Sequence, residues 1–83
     1  NLILITTHNI HVSACIRYTN YQTLFFLFHF SNQPAFVTWY AFKENGFHPE
    51  KLFDHVTEKN YTVCNDDEYL IIEPYEFHIM EKL

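Results

Sequence analysis

Six histidines, two cysteines and ten carboxylates are the side chains of this 83-residue sequence with the chemistry for metal binding or catalysis. His8, His11 and Cys15 would come together if the first turn folds back on itself, a ligand set suited to zinc. No CxxC or HExxH spacing accompanies them, and a stable site needs three or four fixed ligands with supporting partners. His8 reads more simply as a turn residue, His11 as a solvent-facing strand residue, and His29 as a hydrogen-bonded core or interface residue. A small His/Cys metal protein is therefore the secondary reading, and no cofactor is expected.

Neither cysteine suits nucleophilic work, because Cys15 lies in a mid-strand alternation and Cys64 at a strand end, away from any helix N-terminus that would stabilise a thiolate. The pair permits one bridge or two free thiols, so a secreted, disulfide-linked interaction module is a further alternative. Paired carboxylates for acid and base chemistry are available among Asp66, Asp67, Glu68, Glu73 and Glu76, but consecutive carboxylates in a loop ordinarily solvate it. One glycine excludes a phosphate-cradling loop. The expectation is a protein that is not an enzyme.

These residues must be positioned by a small scaffold. The length suits a single α+β domain over 1–83, and a domain this small buries only about 60 to 65% of the surface its unfolded chain exposes, so extra support from a disulfide, a metal or a partner is expected. Nine Phe, six Tyr and one Trp exclude a disordered chain. Val12, Ala14, Ile16 and Tyr18, with Ile10 before them, alternate with His11, Ser13, Cys15 and Arg17, the period-two mark of a strand with one buried face. Leu2 to Thr6 pairs with it across Thr7-His8-Asn9. Thr23 to Phe30 is apolar on both faces, and Ala35 to Phe42 pairs with it across Ser31 to Pro34.

After Asn45-Gly46, Pro49 at a first helical position and the stripe Leu52, Phe53 and Val56 predict a helix over 48–59 with Asp54, Glu58 and Lys59 facing water. Tyr69 to Ile72 and Tyr75 to Met80 read as closing strands, with Asn65 to Glu68 as a loop. The predicted architecture is thus an antiparallel sheet of about four N-terminal strands, one short helix packed on it, and two or three C-terminal strands. The longest uncharged run, Tyr21 to Phe42, is interrupted by His29 and by Ser31 to Pro34, which argues against a membrane span. A chain opening at Asn1 rather than Met is expected to have lost a tag or signal peptide upstream. Asn60-Tyr61-Thr62 is a glycosylation triplet of a kind expected by chance in a chain with seven Asn.

Charge narrows the partners. The net charge is −5, and five Lys and Arg are too few to neutralise a run of phosphates. Direct nucleic-acid binding is not expected, and the aromatics of the sheet lack the basic groove that base stacking requires. Arg17 is the one formally charged side chain before Lys43, whereas every carboxylate lies from Glu44 onward. A neutral, aromatic sheet face implies a cover.

The expected function is a non-catalytic protein-binding domain, either a subunit of a homo-oligomer or larger assembly or a small acidic inhibitor of a larger, basic partner. Phe25, Leu27, Trp39 and Tyr40 are the expected apolar contacts, since burying a large aromatic contributes on the order of 2 to 3 kcal/mol. Asp66, Asp67 and Glu68 are the expected acidic contacts.

Overall fold

A computed structural model of the chain describes residues 1–48, 50–65 and 68–83. Eight strands and one short helix occur among them: β1 (Leu2–Ile5), β2 (Val12–Tyr18), β3 (Thr23–His29), β4 (Ala35–Thr38), α1 (Tyr40–Lys43), β5 (Lys51–Asp54), β6 (Lys59–Thr62), β7 (Tyr69–Ile72) and β8 (Phe77–Lys82). The protein is mostly antiparallel sheet. Six strands form one sheet in the order β1-β2-β3-β8-β5-β6, and β4 pairs with β7 in a separate two-stranded ribbon.

The first hairpin forms as the alternation predicts. Thr7 closes its turn by donating its hydroxyl to the carbonyls of Asn9 and Val12, and the Asn9 side chain accepts the His11 N–H, an Asx-type turn. Ile10 falls in this turn and is exposed, while Val12, Ala14 and Ile16 are buried.

Where a strand was predicted to run to Phe42, β4 ends at Thr38 and the chain winds into α1. Asn45-Gly46 ends this helix rather than announcing a later one. Gly46 takes φ 84°, its N–H donates to Lys43 O, and the Phe47 N–H donates to Phe42 O, the Schellman pattern that satisfies the last carbonyls. Phe47 is thereby turned onto the core, with its ring against Tyr18 and Phe25.

The helix predicted over 48–59 is replaced by the β5–β6 hairpin; Pro49, its predicted first residue, lies outside the described residues. The cause is Asp54. Its carboxylate accepts the Val56 N–H at 2.9 Å and the Thr57 hydroxyl at 2.9 Å, and local bonds of this kind satisfy the backbone in a turn rather than a helix. Glu58, at φ 58°, completes the turn. Leu52 and Asp54 then point inward from β5 while Lys51 and Phe53 do not, so Asp54 is fully buried instead of facing water.

The ribbon and α1 contribute Ala35, Val37, Trp39, Ala41, Phe42, Leu70 and Ile72 to one buried cluster, and the sheet contributes Ile5, Val12, Ala14, Ile16, Phe25, Leu27, Leu52 and Met80. His29 crosses this layer. Its Nδ1–H donates to the carbonyls of Ile72 and Glu73, which fixes the tautomer because a carbonyl can only accept. No helix among the described residues is long and apolar enough to cross a membrane.

Candidate binding face

Because the core lies on one side of the six-stranded sheet, the residues between the buried ones in each strand form the opposite face. Strand pairing arranges them in rows. Leu2, Arg17, Leu24, Glu81, Phe53 and Asn60 stand side by side across the sheet. Leu4, Cys15, Phe26 and Ile79 form a second row, which the His55 N–H continues by donating to Ile79 O. Ser13, Phe28 and Phe77 form a third, where the two phenyl rings stack at 6.3 Å.

No element among the described residues covers this side. Leu2 is 65% exposed, Leu4 80%, Phe28 38% and Phe77 47%, while Leu24, Phe26, Phe53 and Ile79 are partly buried by their neighbours. Together they form a contiguous apolar patch, and such a patch left exposed marks an interaction surface. An open depression lined by Asn1, Leu2, Cys15, Arg17 and Phe26 lies within it.

Two charges flank Leu24 in the first row. Arg17 is exposed and joins no ion pair among the described residues. Glu81 accepts from His55 Nε2 at 2.8 Å and from Gln22 Nε2 at 3.3 Å. Those two hydrogen bonds hold its carboxyl below the usual range, so it is ionised at neutral pH. Cys15 lies two residues from Arg17 on the same strand, and burial pushes its thiol up, the opposite of what a nucleophile needs.

The expected contact residues distribute differently. Phe25, Leu27 and Trp39 are buried in the chain's own core and cannot meet a partner on this surface, because β3 turns Phe25 and Leu27 inward and leaves Leu24, Phe26 and Phe28 outside. Tyr40 is exposed, but on α1 and away from this face. Glu68 is exposed and accepts the Cys64 N–H; Asp66 and Asp67 lie outside the described residues. Leu2, Leu4, Phe26, Phe28, Phe77 and Ile79 were missed, although the alternation that marks each strand contains them.

The histidines and cysteines do not assemble a metal site either. His8 Nε2 lies 2.6 Å from Glu44 Oε1, and among the described residues no group of three or more His, Cys, Asp or Glu could hold a metal ion. Cys15 and Cys64 are both free. Cys15 lies on β2, and Cys64 lies two residues past β6, a strand four spacings or about 19 Å from β2 across the sheet, whereas a disulfide requires Cα atoms within about 7 Å.

Among the described residues one side-chain pair is buried: His78 Nδ1 donates to Asp54 Oδ2 at 2.5 Å. His78 Nε2 has no hydrogen-bond partner, with Glu76 Oε1 3.6 Å away. Burial drives the Asp54 carboxyl up, but the hydrogen bonds from His78, Val56 and Thr57 prevail and hold it below its ordinary value. This resembles the aspartate and histidine of a hydrolytic triad, but Thr57, the neighbouring hydroxyl, donates to Asp54 rather than to His78. The pair therefore lacks an activated nucleophile.

No family model matches this chain, and no curated protein matches it. Function must be argued from the residues.

Proposed function

We propose that this chain is a non-catalytic protein-binding domain whose contact surface is the outer face of the six-stranded sheet. The observation that carries the reading is the row structure of that face. Leu4, Phe28 and Phe77 are exposed around a centre made by Phe26 and Ile79, and in the row at one end Arg17 and Glu81 are set between Leu2, Leu24 and Phe53. A contiguous exposed apolar patch that includes a few charged side chains marks a protein interaction surface. Covering the centre would also supply the stability that a domain of this size lacks by itself.

Site-specific photo-crosslinking tests the reading. With p-benzoylphenylalanine in place of Leu4 or of Phe77, irradiation in the source cells should give a covalent adduct of one defined mass, which the same group in place of Glu58 should not give. Adducts that are absent, or equal at all three positions in chains with unchanged circular dichroism, would overturn the assignment of this face.

A further inference from the structure

We infer that the occupant of this face is a second copy of the same chain, docked sheet to sheet about a two-fold axis that lies in the interface along β3. The inference rests on the proposed function, since it names the partner of that face. Two observations support it, the arrangement of charge and that of the apolar residues.

The charges come as a self-complementary pair. Arg17 on β2 and Glu81 on β8 stand in one row on either side of Leu24, each one strand spacing of about 4.8 Å from β3. A two-fold axis along β3 carries β2 over the β8 of the second copy, and so sets Arg17 opposite the other Glu81 twice. In an isologous contact each residue meets its counterpart reciprocally. The hydrogen bonds from His55 and Gln22 occupy one position on each Glu81 oxygen and leave a second lone pair on each for a guanidinium.

The same operation matches the apolar residues. Leu24, Phe26 and Phe28 lie on the axis and meet themselves. Leu2 comes over Phe53, and Cys15 over Ile79. Only Leu4 against His55 and Ser13 against Phe77 join an apolar to a polar side chain, and both are at the rim. Two sheets facing in this way pack about 10 Å apart with side chains interleaved.

The apolar residues are continuous across five of the six strands, with Leu2, Leu4, Phe28 and Phe77 exposed and Cys15, Leu24, Phe26, Phe53 and Ile79 half-buried between them, and a facing copy would cover them together. A basic inhibitor target would leave Arg17 facing like charge.

Charge exchange distinguishes a second copy from any other occupant. In sedimentation experiments, the unaltered chain should dimerise, and Arg17→Glu or Glu81→Arg alone should weaken the dimer about tenfold or more, because each sets like charges opposite one another twice. Mixing the two variants should restore association as a heterodimer, and so should the double variant with itself. Phe28→Glu, which buries a charge on the axis, should abolish it. A strictly monomeric chain would overturn the second copy, and crosslinking from the Phe77 position to a different protein would then leave the binding face standing. A dimer indifferent to both exchanges and to Phe28→Glu would overturn the inference and place self-association elsewhere.

Discussion

Replacing His78 with alanine should reduce folding stability by about 3 to 5 kcal/mol, the effect of leaving a buried carboxylate without its partner. Both side chains are almost completely buried. Asp54 would keep the Val56 N–H and the Thr57 hydroxyl but lose its strongest donor, while a space for the missing imidazole opens beside it. Since a small domain has a total stability of roughly 5 kcal/mol or little more, this variant should be close to half unfolded without denaturant. Urea titration followed by circular dichroism measures it. Asp54→Ala should cost a similar amount, because it also frees two donors that hold the β5–β6 turn. The double variant should cost clearly less than the two singles added, the mark of a coupled pair. Additive losses would show that the two side chains act independently.

The pair also sets a pH dependence. The folded-state pKa of Asp54 is depressed, so its contribution to stability is fully present above the unfolded carboxylate value of about 3.9, and it is lost as pH falls through the lower folded value. Urea midpoints of the unaltered chain should therefore decline below about pH 4. Asp54→Asn should flatten that decline, and a variant that falls as steeply as the parent would remove Asp54 as its source.

Much of the sheet was legible because its signal is local. Period-two alternation located β2, apolar runs located β1, β3 and β7, and the polar residues of Thr7-His8-Asn9 located the first turn. What alternation does not contain is its phase. Thr23 to His29 and Phe77 to Lys82 carry large apolar residues on both faces, so which face is buried depends on the partner strand and on the layer above it. In β8 the buried positions include His78, a residue that a reading by hydropathy turns outward, and it is inward because Asp54 awaits it 24 residues earlier. The 48–59 segment failed for the same reason. Its spacing suits a helix stripe as well as a strand, and the choice was made by a buried aspartate whose side chain caps a turn and whose partner is distant in sequence. The binding face inherits this limit, since the set of outward residues changes entirely when the phase of one strand is reversed.

That phase can be measured directly by comparing adjacent aromatics of β3. Phe25 is fully buried, with its ring centroid 4.8 Å from Phe42 and 6.3 Å from Phe47. Its removal takes away the contact that joins the sheet to α1 and to the Schellman turn. Phe25→Ala should therefore cost about 3 to 5 kcal/mol, the range for a buried phenyl that leaves a cavity. Phe28, three residues further on, lies on the other face with one ring neighbour, Phe77. In dilute protein, where self-association is negligible, Phe28→Ala should cost less than about 1 kcal/mol, mostly from the lost ring pair. At concentrations where the chain associates, the order of effects on assembly should reverse: Phe28→Ala weakens the dimer while Phe25→Ala acts through unfolding alone. Equal destabilisation by the two substitutions in the monomer would mean that β3 is covered on both sides, and the outer face would then be interior rather than a surface for a partner.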